Sequence, residues 1–171
     1  MARTLPELAD WRRSTRRFTG EHVDDEAVRE ILEIAAQAPS SWGGHPVEFI
    51  VVRDRGRLRE LARCKAMGAG PLASSDVAIV PIVDARGLEL WAADAAVVST
   101  YLLLAAEHAG VGACWIHMQG RRGHTGMADD DIRALLGIPD HYEILNVVSL
   151  GMRSEPPVRR HVSPKVHTEV Y

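Results

Sequence analysis

Four arginines and two hydroxyls fall within Arg12-Arg13-Ser14-Thr15-Arg16-Arg17-Phe18. Guanidinium groups grip a phosphate dianion in two-pronged fashion and a hydroxyl adds a neutral donor, so this heptapeptide can hold a phosphorylated ligand. Taken alone, it reads first as a solvated basic turn or a nucleic-acid patch. A second candidate is Ala38-Pro39-Ser40-Ser41-Trp42-Gly43-Gly44-His45-Pro46, a loop by composition. Its glycines let backbone approach a ligand and its serines supply donors. Turn chemistry accounts for most of it, but Trp42 suits a flat aromatic ligand. A third is Cys114-Trp115-Ile116-His117. Strand alternation sends Cys114 and Ile116 to one face, as core, and Trp115 and His117 to the other. An indole N–H and an imidazole want polar partners or a cleft. Lys165-Val166-His167, a second small cationic cluster, reads by itself as a solvated tail.

Several chemistries are excluded. Cys114, His117 and His124 lack a second pair at ligand spacing and no HExxH is present, so no metal is expected. Gly68-Ala69-Gly70-Pro71-Leu72-Ala73 fits the letters of a dinucleotide fingerprint, but it follows a helix, precedes a strand and contains Pro71. That context is wrong for a pyrophosphate site, and the stretch reads as a loop. No GxSxG elbow or Walker loop occurs, and no paired carboxylates stand in a recognisable context. The formal net charge of -3 disfavours a nucleic-acid partner. Lysine occurs only at Lys65 and Lys165, so the positive charge is nearly all arginine and permanent. Cys64 and Cys114 form neither a CxxC nor a disulfide framework, and the first residues carry no apolar signal region. A cytoplasmic protein is expected.

The elements that must position these residues follow from periodicity. Asp24 caps a helix expected over 25–38, with Val28, Ile31, Leu32 and Ala35 on one stripe and Pro39 stopping it. Val23 and Val28 suit a hydrophobic staple. Strands are expected at 48–52, 77–83, 111–118 and 144–150, and short helices near 57–65 and 129–136. Pro81 hints at an edge or a bulge. The stretch 90–108 is the most apolar, but Asp94 and Glu107 interrupt it, and it lacks basic flanks. It is a buried core helix rather than a membrane span, with more apolar surface than one layer covers. The class is α+β, one domain over 1–171, a mostly antiparallel sheet sandwiched by helices.

In this order and spacing the pieces resemble the FMN-dependent nitroreductase family, short branch. The resemblance rests on Arg12 to Phe18 and on Ala35 to Pro46 leading into Glu48-Phe49-Ile50-Val51-Val52. It continues through Trp91-Ala92-Ala93-Asp94-Ala95-Ala96, Leu102 to Gly112, Cys114-Trp115-Ile116, Leu136-Gly137-Ile138-Pro139-Asp140, Ser149-Leu150-Gly151 and the Lys165-Val166-His167 ending. It implies an intertwined homodimer with FMN at the subunit interface and the tail, roughly 152–171, reaching onto the partner. By the family motif, Arg12, Arg13 and Ser14 would hold the phosphate and ribityl chain, with Arg16 at the N1–C2 carbonyl edge. Pro39, Ser40, Ser41 and Gly43 would come from the partner subunit. Trp115, Ile116, His117 and Met118 would line the flavin, backbone N–H groups facing N5 and O4, and Lys165 and His167 would reach the phosphate. Trp42 and Trp115 would wall the substrate slot. Lys65 does not align with certainty.

Gly43, His45 and His117 depart from many relatives, which carry Asn, Gln and an acidic residue there; His167 stands where an arginine is common. The resemblance implies NADH or NADPH as donor, a nitroaromatic, quinone or similar flat acceptor, ping-pong turnover and no protein general acid. A fixed cation at Arg16 would stabilise the reduced flavin anion. Two alternatives stay open on sequence: the same fold and FMN with dehalogenating or flavin-consuming chemistry, or a non-catalytic binder.

Overall fold

The computed structural model describes residues 3–170. Its core is an antiparallel sheet in the order β1 (Val47–Val52), β2 (Val77–Asp84), β5 (Asn146–Gly151), β3 (Gly112–His117), with β4 (Tyr142–Glu143) also paired to β2. Side chains alternate across it. Ala78, Val80, Ile82, Cys114, Ile116 and Val147 face one apolar cluster, which Leu58, Leu61, Leu72 and Ile132 complete. These come from α3 (Arg55–Arg63), α4 (Gly70–Ser74) and α6 (Ala128–Leu136). Val77, Ile79, Ala113, Val148 and Leu150 face the other cluster. There they meet Val28, Ile31 and Ala35 of α2 (Asp25–Ala36) and Val98, Leu102 and Ala105 of α5 (Trp91–His108). The result is a helix–sheet–helix sandwich, as alternation with period two demands.

Asp24 caps α2 by accepting from the Glu26 N–H at 3.1 Å, and Val23 and Val28 are both buried. α5 runs from Trp91 to His108 and stops ahead of Gly110, whose φ is +74°. Three elements were not expected. α1 (Leu5–Trp11) starts at Thr4 in a capping box with Glu7 and has Pro6 in its first turn. Gly70–Ser74, expected as a loop, is the one-turn helix α4; helix α3 precedes it, so the fingerprint's strand–turn–helix context is absent. β4 is the third.

Pro81 marks a change of ladder partner. β2 keeps an unbroken register with β1, Phe49 opposite Pro81. On its other side it pairs with β5 up to Ile79 and resumes with β4 at Val83, so residues 80–82 face the longer stretch 144–147. The residue without an N–H sits inside that bulge-like gap, where no ladder bond is lost.

Candidate functional site

β3 is an outer strand, and the arginine-rich segment lies along it. The Thr15 N–H donates to the Ala113 carbonyl at 2.8 Å, Ser14 bridges Ala113, and Phe18 bridges Arg153. Two glycines make this approach feasible. Gly112 and Gly151 are cross-strand partners. A Cβ on Gly112 would sit 2.9 Å from Thr15 Oγ1, and one on Gly151 2.6 Å from Phe18 Cδ1. The side chains of Thr15, Arg153 and Phe18 therefore lie directly over glycine backbone, where a Cβ would push them away. Below this contact Glu107, buried on α5, pairs with both Arg3 and Arg153, and Arg153 also donates to the Gly110 and Val111 carbonyls.

The arginines of the segment divide by what they already bond. Arg13 is largely spent: it donates to the carbonyls of Asp10, Arg12, Val158 and Arg160. Together with the Asp10 carboxylate, which pairs with Arg159, it ties the tail stretch 158–161 to α1 of its own chain. The phosphate role expected of Arg13 is thus reduced to its remaining N–H. Arg12 and the Ser14 hydroxyl have no side-chain partner among the described residues, and Arg16 makes only a 3.5 Å contact to the Ser14 carbonyl. Burial pushes the Cys114 thiol up, and the charges of Arg16 and Arg12 offset part of that push. Clefts of about 330 and 680 Å³ flank the segment. Lys165 and His167 sit in the exposed tail.

The direction of the β3 backbone decides which N–H groups are open. Met118 donates to Leu145 directly across on the β5 side at 2.9 Å. Antiparallel ladders alternate, so Ile116 also points to β5, whereas Ala113, Trp115 and His117 turn outward. The outward carbonyls confirm the parity: Thr15 binds that of Ala113, and Lys65 Nζ binds that of His117 at 2.8 Å. This corrects the expectation for Ile116 and Met118, whose N–H groups face inward and whose side chains are buried. His117 keeps an outward N–H. Burial first, then Arg121 and Lys65, hold its imidazole below the ordinary value. Trp115 is half-buried against Val83, Ala95 and Leu145.

Pro39 and Ser40–Gly43 lie elsewhere, on the approach to β1, the opposite edge of the sheet. Three strand spacings put roughly 14 Å between those edges. The buried carboxylate of Asp94 on α5 fixes this loop by accepting from the Ser41 N–H at 2.7 Å and its hydroxyl at 3.0 Å. Trp42, 99% exposed, and His45 adopt positive φ of 55° and 46° beside Gly43 at 65°. Within one chain no hydrogen bond or ion pair joins this loop to the arginine segment among the described residues.

The nitroreductase family model matches residues 9–86 and 69–152. A protein of Archaeoglobus fulgidus, provisionally named NADH dehydrogenase/NAD(P)H nitroreductase, is 33% identical over 144 residues, 82% of this chain and 80% of that one. The chain belongs to the nitroreductase family. Its fold is the family's: an FMN-dependent nitroreductase from Clostridium difficile superposes with a TM-score of 0.92 at 33% identity, covering 98% of this chain and all of the other. A family member from Desulfovibrio desulfuricans, provisionally named a nitroreductase and solved with FMN, gives 0.77 at 26% identity over 95% and 94%. For a nitroreductase chain, sequence reading missed Gly112, Gly151, Arg153, Asp94 and Glu107. The signal for the two acids was there, since each breaks an apolar run that would otherwise need no charge. Among the described residues no helix is long and apolar enough to cross a membrane, and no cluster of His, Cys, Asp and Glu could hold a metal.

Proposed function

We propose that the protein is an FMN-dependent oxidoreductase that takes electrons from NADH or NADPH and delivers them to a flat acceptor such as a nitroaromatic or quinone. Family membership and the names of its relatives support the class. The observation that carries the site is the row of unspent donors, Arg12, Ser14 and Arg16, held against β3. A dianionic phosphate fits Arg12 and Ser14, because a guanidinium and a hydroxyl two residues apart have no side-chain partner among the described residues. FMN, when bound, supplies the two-electron carrier. Arg12 and Ser14 hold its phosphate, with Arg13 as the strap that fixes the tail. Arg16 sets a permanent positive charge beside the ring edge that gains negative charge on reduction. The outward His117 N–H would be the β3 donor available to the ring's reactive edge. Ser40, Ser41 and Gly43 come from a second copy of the chain, since one chain keeps them on the far edge. Residues 162–170 with Lys165 and His167 extend toward that copy.

The purified protein should be yellow or become so with FMN, bleach anaerobically with NADH or NADPH, and recover on addition of a nitroaromatic. Absence of bleaching with either nicotinamide sinks the reductase reading. Arg12→Ala with Ser14→Ala should weaken FMN by several kcal/mol, about 1.5–3 kcal/mol per charge-assisted bond. Riboflavin, which lacks the phosphate, should lose far less. Equal losses for both ligands would place the phosphate elsewhere.

A further inference from the structure

Beyond the phosphate end, a second group of cations stands at the other end of β3. Lys65 follows α3 and spends one of its three N–H groups on the His117 carbonyl at 2.8 Å. Arg121 is placed by a turn: its N–H donates to the Met118 carbonyl at 3.0 Å, Gly120 takes φ +62°, and its carbonyl accepts from the Ala128 N–H at 2.8 Å. One further bond holds their two segments together: the Ala66 N–H donates to the Arg122 carbonyl at 3.0 Å, which fixes the chain after α3 against the bend that carries Arg121. The Arg121 guanidinium has no hydrogen bond or ion pair among the described residues, and no carboxylate pairs with Lys65. The acid facing this group is Asp129, which acts on His117 and has one buried oxygen without a partner. Burial first, then the charge of Arg121, lowers the Lys65 ammonium, so the two cations lie within electrostatic reach of one another. Ala113, beside Ser14, is four residues from His117, about 13 Å along a strand, so this pair serves a different anion from the cofactor phosphate.

We propose that Lys65 and Arg121 form an anion subsite beside His117, which receives the carboxylate of an aromatic acceptor lying on that edge of β3. The inference rests on the flavin reading above, because that reading sets the reactive edge of the ring by the His117 N–H, and an acceptor must reach that edge. The acceptors favoured by this protein are therefore flat and negatively charged rather than neutral.

The holoprotein tests this with 4-nitrobenzoate against its methyl ester. Wild-type protein should prefer the acid in kcat/KM. In Lys65→Met with Arg121→Gln the acid-to-ester ratio should fall about tenfold or more, the loss expected of a broken charge-assisted contact. Lys65→Arg should keep the preference. As a readout apart from turnover, benzoate should perturb the visible spectrum of the oxidised holoprotein, at about tenfold higher concentration in the double variant, with the benzoate-to-benzamide ratio shifting in step. An unchanged acid-to-ester ratio overturns the subsite, whether or not the KM for the nicotinamide moves. Loss of bound FMN in the double variant also overturns it, because the cations would then hold the cofactor. If wild-type protein takes up no FMN at all, the parent reading falls, and this one with it.

Discussion

The two acids of α5 make a natural comparison. Asp94 and Glu107 are both 3% exposed, and thirteen residues of helix separate them by about 20 Å. Each pins one of the two segments that the family likeness assigns to the cofactor. Glu107 faces two guanidinium groups, and through Arg153 it supports the strand crossing at Gly112 and Phe18. Asp94 takes only the neutral donors of Ser41, and its second oxygen has no partner. One end is thus a closed ionic joint. The other retains an acceptor to spare, next to a tryptophan held in left-handed backbone. The lesson is that burial alone does not tell what an acid does; the charge of its partners does.

That contrast can be broken experimentally, most strongly at the ionic joint. Glu107→Gln should cost about 3–5 kcal/mol in urea unfolding, because Arg153 would stay buried without its counter-charge. Replacing both partners together, Glu107→Leu with Arg153→Met, should recover much of that loss. A loss under about 1 kcal/mol in the single variant would show the pair to be solvated. The Asp94 end should be milder. Asp94→Ala removes two hydrogen bonds to a carboxylate and should cost about 1–3 kcal/mol, with faster proteolysis across 40–45 as the local readout. Loss of stability without looser proteolysis would mean that the loop is held by something else.

The smallest effect is that of pH. The folded-state value of His117 lies below the ordinary 6.5, so the unfolded chain takes up its proton first as pH falls. Stability from this group is intact above 6.5 and declines below it, toward the folded value. Burial drives this shift first, then Arg121 and Lys65, and the Gln119 backbone and Asp129 oppose it. His117→Gln should flatten the fall in melting temperature between pH 7.5 and 5.5. An unchanged slope would assign that fall to other groups.

The sandwich was legible because period-two strands such as 77–83 and the 3.6-period stripe of α2 each bury a defined face. α1 escaped notice although Thr4, Pro6 and Glu7 spell a capped start; seven residues offer too few turns for an apolar stripe to show. α4 escaped because its glycine and proline argue for a loop, while the turn is closed by the Ser75 N–H on the Pro71 carbonyl at 3.0 Å and by the burial of Leu72. At the site, residue types pointed to Arg12–Arg17, but types cannot say which donors are already engaged. Arg13 is consumed by carbonyls 145 and 147 positions away in sequence. Likewise the outward N–H on β3 belongs to His117 rather than Met118 because of pairing with β5, a parity that no local pattern encodes.

The proline in β2 has a wider effect than sparing a ladder bond. Residues 144–147 span the gap opposite it, and within that gap the Leu145 carbonyl collects the N–H groups of both Met118 and Gln119, at 2.9 and 3.1 Å. β3 is thereby reined in at that point, and the chain swings out into the glycine-punctuated bend that carries Arg121. A slipped register between β2 and β5 would call for a donor that Pro81 lacks, so one rigid ring guards the weave on that side of the sheet.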